Sequence, residues 1–252
     1  MPVPYDFFDY QKYWKGRDYE DGAERIALSR FLNSVGKKEL LVDIGAGFGR
    51  LTELYLPFAQ KVFLCEPSKK LSGIAKKKFA DIPKITFCKT SLPNLTLKKS
   101  SFDVSLMVRV IHHFQDSKKV IKELFRVLKP GGFLVLEFAN KIHFKALMKA
   151  ILKGNFSFLS DVKPYEQRTK ESIAKRKIYF FNHHPKKILK DLKDCGFEVK
   201  EILSVSNFRD PIIKKIIPLR VLLFLEKITQ KPLSFIYFGP SIFILAYKSH
   251  NT

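Results

Sequence analysis

Short apolar runs recur along the chain and alternate with stretches in which apolar residues repeat at the helical period. The run at residues 40–44 is interrupted only by Asp43, which is typical of a buried strand in a parallel sheet. Further runs predict strands at residues 61–65, 84–88, 104–108, 133–138, 197–205 and 241–247, the last of them antiparallel. We therefore predict an α/β fold, a doubly wound Rossmann-like seven-stranded, mostly parallel sheet with an α-helical cap.

Three glycines follow the first run. Gly45, Gly47 and Gly49 predict a tight turn from the strand into a helix, where the backbone can approach a ligand and free N–H groups are available. The same turn could serve only to connect packed elements. The spacing Gly-x-Gly-x-Gly differs from the dinucleotide pattern Gly-x-Gly-x-x-Gly, so a ligand with a ribose but no pyrophosphate fits better.

An acidic residue ends the second strand. Glu66 comes 21 positions after Gly45 (66 − 45), close to the spacing at which a carboxylate meets the ribose hydroxyls of a bound nucleotide. A solvated acid at a strand end is the alternative.

These features resemble the class I S-adenosylmethionine-dependent methyltransferases. Val42-Asp-Ile-Gly-Ala-Gly-Phe-Gly49 resembles their first motif, and Glu66 resembles the acid that closes their second strand. Ser101-Phe-Asp-Val-Ser-Leu-Met resembles their fourth strand, and Arg126-Val-Leu-Lys-Pro-Gly-Gly132 resembles the turn before their fifth. The resemblance spans residues 37–140 and implies S-adenosylmethionine as the cofactor.

The resemblance also implies which residues contact the cofactor. In the family an acid commonly meets the adenine amino group after the third strand, whereas this chain has Ser91 there, with Thr90 beside it. Arg17 and Tyr19 are the candidates for the cofactor carboxylate. The predicted cofactor-binding residues are Asp43, Gly45, Ala46, Gly47, Gly49, Glu66, Pro67, Ser91, Arg109, Arg17 and Tyr19.

One catalytic candidate follows the fourth strand. His113, next to His112, lies where open α/β sheets bind ligands, and histidine exchanges protons near neutral pH. It could equally cap the following helix or bridge strand and loop. The chain lacks the Asn/Asp-Pro-Pro-Tyr/Phe tetrapeptide of methyltransferases that act on nucleic-acid bases, which argues against that activity.

We predict a single domain over residues 1–252. Helices at residues 5–35 would cap the cofactor-binding core at 37–140, a lid insertion would follow at 141–182, and residues 183–252 would complete the sheet. The aromatic residues Tyr10, Tyr13 and Trp14 could line the acceptor site or pack the first helix onto the sheet. Basic and apolar residues alternate at 211–233, where an amphipathic helix could contact a membrane, pack on the domain or form a homodimer.

The net charge of +22 makes anionic partners such as RNA plausible. Lysines on solvated helix faces would produce the same surplus, and we favour that interpretation. Cys65, Cys88 and Cys195 are predicted to be free thiols, with no metal site. With neither a secretory signal nor an apolar run of about eighteen residues, a cytoplasmic location is expected.

We predict methyl transfer from S-adenosylmethionine to an oxygen, nitrogen or carbon of a small or lipid-like acceptor. Alignment and desolvation can supply most of what this reaction needs, so an acid–base pair is not required. The alternatives are an RNA methyltransferase, which would need basic residues around the cleft mouth, and a non-catalytic cofactor-binding protein.

Overall fold

The computed structural model describes residues 3–169 and 178–250, so residues 170–177 of the predicted lid lie outside the described residues. The strands are β1 (Lys38–Ile44), β2 (Ala59–Cys65), β3 (Ile85–Cys88), β4 (Phe102–Met107), β5 (Leu128–Ala139), β6 (Tyr165–Glu166), β7 (Phe181–Asn182), β8 (Phe197–Val205) and β9 (Ser241–Lys248). Seven of them form one sheet in the order β3-β2-β1-β4-β5-β9-β8, and β6 pairs with β7. The predicted fold class is confirmed.

Helices cover both faces of this sheet. They are α1 (Tyr10–Trp14), α2 (Asp18–Val35), α3 (Thr52–Tyr55), α4 (Lys69–Lys78), α5 (Ser117–Val127), α6 (Phe144–Leu152), α7 (Ser157–Ser160), α8 (Pro185–Asp194), α9 (Pro211–Ile216) and α10 (Leu219–Thr229). Short 3-10 turns lie at Pro4–Asp6, Leu56–Phe58, Ile111–His113 and Pro232–Ile236.

Alternation along the strands creates two apolar layers. In β1, Leu41 packs with α2 on one face, whereas Val42 and Ile44 pack with α5 and α8 on the other. This is why the central run is apolar almost throughout. β5 pairs in parallel with β4, and β9 is antiparallel to both β5 and β8, as predicted.

Two elements extend beyond the segments predicted for them. The predicted turn at residues 130–132 lies within β5, because Leu128 already pairs with Phe102 across the sheet. α2 begins at Asp18, before the apolar periodicity starts.

Within the described residues, no helix has the length and apolar character needed to cross a bilayer.

The prediction of three free thiols is wrong. Cys65 and Cys88 end the neighbouring strands β2 and β3 in the same register, with 4.6 Å between their Cα atoms, and they form a disulfide. Cys195 is a free, half-buried thiol. The cysteines therefore give no support to the expected reducing compartment.

A buried ionic network joins α2 to the sheet. Glu24, whose side chain is fully buried, accepts hydrogen bonds from the guanidinium groups of Arg50, just after the glycine turn, and Arg109, just after β4. The Arg109 Nε atom lies 2.6 Å from Glu24 Oε1, and Arg50 also pairs with Asp21. Each charge in this apolar setting needs its partners, so the network holds three segments together.

Removing the Glu24 charge should therefore destabilise the fold. We expect Glu24→Gln to lower the free energy of unfolding by about 3 kcal/mol, because it leaves two buried guanidinium groups short of a counter-charge. Glu53→Gln is the matched control, since Glu53 pairs with Lys78 at the surface and should cost less than about 1 kcal/mol. Urea denaturation measures both, and equal losses would contradict the role assigned to Glu24.

Candidate cofactor and acceptor site

A cavity of about 370 Å³ opens at the carboxyl ends of β1, β2 and β4. The topology dictates this place, because β2 and β3 lie on one side of β1 while β4 and β5 lie on the other, and the reversal of strand order opens a crevice there. The lining combines the glycine turn, the segments after β2, β3 and β4, the N-terminal residues and the chain at 178–179. Of the predicted cofactor residues, Gly45, Gly47, Glu66, Pro67, Ser91 and Arg109 line it.

Glu66 is the acid of this cavity. Its Oε2 atom accepts a hydrogen bond from the Gly47 N–H at 2.9 Å, and its Oε1 atom accepts one from the Ser68 N–H at 2.8 Å. No ion pair reaches Glu66 within the described residues. Burial raises the pKa of Glu66 to about 7, although the two N–H groups act in the opposite direction. Each oxygen keeps a lone pair for another donor, which suits the two hydroxyls of a ribose.

The glycine turn has the conformation that only glycine adopts readily. Gly45 has φ +82°, and a Cβ atom there would lie 2.3 Å from Val110 Cγ2. Gly47 has φ +60°, and its N–H is the group bound by Glu66. The turn and the acid are thereby joined into one backbone-lined cradle.

Three predicted residues lie beside or behind the cavity. Asp43 and Ala46 line a small adjoining hollow of about 30 Å³. Asp43 accepts a hydrogen bond from the Tyr55 hydroxyl at 2.6 Å, and burial raises the pKa of Asp43 to about 6. Gly49 does not line either space: it packs against the ring of Phe79, which a Cβ atom would approach to 2.4 Å.

The expected adenine side contains hydroxyl groups. Thr90, Ser91 and Leu92, which follow β3, line the cavity. The Thr90 hydroxyl already accepts a hydrogen bond from the Thr96 N–H at 2.9 Å, whereas Ser91 is exposed. Ser91 therefore lines the cavity, its contact with an adenine stays a prediction, and its hydroxyl can serve as an acceptor.

Arg109 forms part of the opposite wall. Its φ of +63° is unusual for a residue other than glycine, and its N–H donates to Glu137 Oε2 at 2.8 Å. Burial opposes the charge, but Glu24 and Glu137 outweigh it and raise the pKa of Arg109. The guanidinium is thus a permanent, paired cation at the end of β4.

A second cavity of about 880 Å³ adjoins the first and is largely aromatic. The two cavities share Tyr5, Tyr10, Arg109, His113 and Tyr179 in their lining, with Val3, Pro4 and Ile178. The larger one adds Phe7, Phe8, Tyr13, His112 and Phe180. Tyr10 and Tyr13 thus line the larger cavity, whereas Trp14 stacks on the guanidinium of Arg50 at 3.7 Å.

His113 lies in the wall between the two cavities. Its Nδ1 atom is 2.7 Å from the Tyr179 carbonyl, which can only accept, so Nδ1 carries the proton. Its Nε2 atom, 2.8 Å from the Tyr5 hydroxyl, is then the acceptor. Burial lowers the pKa of His113 and raises that of Tyr5, so both groups are neutral near pH 7.

The structure does not bring Arg17 and Tyr19 into the cofactor cavity. Arg17 lies over the ring of Tyr13 at 4.0 Å, beside the larger cavity. Tyr19 is buried against α10, where its hydroxyl donates to Glu226 at 2.5 Å and accepts from the Phe208 N–H. With both hydrogen-bonding sites occupied, Tyr19 has no capacity left for a cofactor carboxylate.

Several residues of the site carried no signal in the sequence. Tyr5 reaches both cavities from the N-terminal segment, and no motif spacing marks it. Glu24 reads as an ordinary polar position of an amphipathic helix. The aromatic residues before residue 15 and those near the end of the predicted lid, among them Tyr179 and Phe180, were the sequence signal for a lined pocket. No group of three or more His, Cys, Asp or Glu side chains is arranged to hold a metal ion within residues 3–169 and 178–250.

The fold and the glycine–acid cradle are similar to those of the class I S-adenosylmethionine-dependent methyltransferases. A family model described as "Methyltransferase domain" matches residues 42–136. S-adenosylmethionine is the cofactor of this class.

Particular relatives are methyltransferases as well. A demethylmenaquinone methyltransferase of Paenarthrobacter aurescens is 32% identical over 119 residues, covering 47% of this chain and 45% of that enzyme. The ubiquinone/menaquinone biosynthesis C-methyltransferase UbiE of Campylobacter jejuni is 27% identical over 192 residues, or 71% and 80% of the two chains. The chain thus spans less than half the length of the first relative.

A solved structure shares the fold. An S-adenosylmethionine-dependent methyltransferase from Mesorhizobium loti superposes with a TM-score of 0.58 at 18% identity, over 88% of this chain and 96% of the other.

The Glu66 carboxylate provides a test of the cradle. Two charge-assisted hydrogen bonds of about 1.5–3 kcal/mol are at stake, so Glu66→Gln should weaken binding of S-adenosylhomocysteine by about ten- to a hundredfold. Isothermal titration measures this, with Glu39→Gln, an exposed acid at the start of β1, as the control. An unchanged dissociation constant would contradict the ribose role.

The same carboxylate predicts a pH dependence. The ribose hydroxyls donate hydrogen bonds and therefore favour the ionised form of Glu66. Since the pKa of Glu66 in the ligand-free protein is about 7, the affinity for S-adenosylhomocysteine should be highest above pH 7. Below pH 7 binding must expel a proton, and affinity should fall by up to about tenfold per pH unit. Glu66→Gln should flatten the profile. A profile that persists in this variant would point to another group, such as Asp43.

Proposed function

We propose that this protein transfers the methyl group of S-adenosylmethionine to a nucleophilic atom of a small, lipid-like acceptor that carries a flat ring. The single observation that carries the proposal is the aromatic cavity of about 880 Å³ joined to the cofactor cavity. Aromatic side chains stack on flat rings and exclude water from them. The quinone-related names of the relatives are consistent with such an acceptor.

The residues present fit the cofactor. Within residues 3–169 and 178–250 no cation pairs with the buried carboxylate of Glu66, and its remaining lone pairs suit O–H donors such as those of a ribose. Gly45 and Gly47 allow the backbone to come close, while Ser91 and Leu92 bound the side expected to hold the base. When bound, S-adenosylmethionine supplies an electrophilic methyl group on a sulfonium centre.

The chain contributes alignment, exclusion of water and a proton acceptor. The N-terminal residues and the chain at 178–180 line both cavities, so an acceptor in the larger one would lie among aromatic rings that displace water from it. His113 Nε2 carries a lone pair, and the Tyr5 hydroxyl occupies it. An acceptor hydroxyl or acidic C–H that enters between them can pass its proton to His113, either directly or through Tyr5.

The alternatives have less support. The described lining of the two cavities includes one cationic side chain, Arg109, and Glu24 neutralises it. RNA binding would need unpaired basic groups there. An intact cradle next to a second cavity also has no evident use in a protein that only binds the cofactor. The single-domain arrangement and the cytoplasmic location predicted from the sequence stay predictions.

The choice of acceptor can be tested with methyl-labelled cofactor. Label should pass from S-adenosylmethionine into a lipid extract, into small flat-ringed phenols or reduced quinones, or into both, and not into total RNA. The extract fraction that takes up label then identifies the acceptor by mass spectrometry. Label at a discrete RNA position, with none in the extract, would overturn the proposal.

The proton acceptor can be tested separately. His113→Asn should lower kcat by about a hundredfold or more, because it removes the basic nitrogen, while S-adenosylhomocysteine still binds. Tyr5→Phe should change kcat less and KM more, since it removes only the partner that holds His113 in place. Single-turnover kinetics and calorimetry measure both effects. Full turnover by His113→Asn would show that the reaction needs no base here.

A further inference from the structure

The chain between β8 and β9, which forms α9, α10 and the 3-10 turn at Pro232–Ile236, has an unusually apolar exposed surface. Between residues 211 and 236, six large hydrophobic side chains are each more than half exposed: Ile212, Ile216, Phe224, Ile228, Phe235 and Ile236. We call these six the apolar face. Soluble proteins rarely expose such a concentration of large apolar groups without a partner.

The inner side of the same segment is firmly attached to the domain. Leu222 is buried, Leu223 packs against Gly22 of α2, and the Gln230 amide donates to the Ala23 carbonyl at 2.9 Å. Glu226 binds the Ser206 N–H and the Tyr19 hydroxyl. The apolar face is therefore the outer surface of an anchored helix and turn, and packing on the domain does not bury it.

The exposed charges on this segment all have one sign. Lys214, Lys215, Arg220, Lys227 and Lys231 lie among the apolar residues, and the one acid between 211 and 236, Glu226, is fully buried. Lys215, Arg220 and Lys227 are exposed, and none of them makes an ion pair within residues 3–169 and 178–250. The exposed surface is thus apolar and cationic with no carboxylate.

The neighbouring helix α6 extends this character. The Phe144 N–H donates to the Phe238 carbonyl at 2.9 Å and their rings stack at 4.8 Å, which places α6 beside the apolar face. Leu152 and Phe156 are also more than half exposed, and residues 142–156 contain three lysines and no acid.

We infer that the apolar face binds the surface of an anionic lipid bilayer. In such a bilayer, the apolar side chains can bury among the acyl chains just below the headgroups. The long basic side chains beside them can extend outward to the negatively charged headgroups. A second copy of the chain fits less well. In a two-fold dimer the same cationic surface would meet itself, with no exposed carboxylate to pair with.

This inference deepens the proposed function. Binding to the bilayer is argued from the apolar face alone, and only the idea that the acceptor comes from the bilayer rests on the proposed function. Arg209, which precedes α9, is close enough to Arg109 and Tyr13 of the acceptor cavity for their charges to shift its pKa. The apolar face therefore begins close to that cavity, and a lipid-like acceptor could pass between bilayer and protein over a short path.

Vesicle sedimentation of the full chain tests this inference. Binding to phosphatidylcholine vesicles that contain phosphatidylglycerol should exceed binding to pure phosphatidylcholine by about tenfold or more, and should weaken with salt. The triple variant Ile216→Ser/Phe224→Ser/Phe235→Ser should lose about tenfold or more of this binding. Lys215→Glu/Lys227→Glu should do the same.

The matched control is Lys122→Glu/Lys193→Glu, which changes the net charge equally on α5 and α8, on the opposite face of the sheet. It should bind anionic vesicles like the parent. Equal losses in both charge variants would mean that only the net charge matters, and would overturn the inference. The inference would also be overturned if the triple variant bound vesicles as well as the parent does. The same holds if the parent does not bind vesicles and instead forms a dimer that the triple variant dissociates.

A further variant reports insertion directly. Phe224→Trp should shift its added emission to the blue on anionic vesicles and be quenched by brominated acyl chains, relative to the parent with Trp14 alone. No shift and no quenching would contradict burial in the bilayer. S-adenosylhomocysteine titration of every variant checks folding. Vesicle binding without methyl transfer to a lipid-like acceptor would contradict the proposed function. Methyl transfer without vesicle binding would contradict the role inferred for the apolar face.

Discussion

The structure depends on one buried carboxylate. Glu24 lies in the core between the guanidinium groups of Arg50 and Arg109, and none of the three charges would be tolerated there alone. Arg50 follows the glycine turn and Arg109 follows β4, so the network connects both walls of the cofactor cavity to α2. The position of the N-terminal cap is thereby coupled to the geometry of the strand ends.

This coupling explains why the site is built from distant parts of the chain. Arg109 is held in a left-handed conformation, and Val110 after it fills the space that a side chain at Gly45 would need. His113 then reaches Tyr5 from the N-terminus and the carbonyl of Tyr179 from the other covering segment. The same two residues, Tyr5 and Tyr179, thus line the cavity and orient the ring of His113.

The positive charge of the chain is divided unequally between inside and outside. Arg50 and Arg109 are neutralised by the buried Glu24, so the described lining of the cavities consists mainly of aromatic rings together with the carboxylate of Glu66. The exposed lysines are left to the outer surfaces, and on α9 and α10 they accompany exposed apolar side chains. An apolar acceptor and a charged bilayer surface are compatible with this division, because they are recognised by different parts of the molecule.

The sequence by itself determined the strands of the sheet, the order of the motifs along the chain, and the glycine turn followed by Glu66. These features are visible because apolar runs, glycine spacing and an acid at a strand end are local patterns. The sequence could not determine which side chains from distant segments meet. Tyr5 at His113, Tyr19 at Glu226 and the Cys65–Cys88 disulfide depend on register and on the docking of α2 and α10. Such contacts are decided by tertiary packing, since a residue's neighbours across a core leave no periodic trace in its own segment.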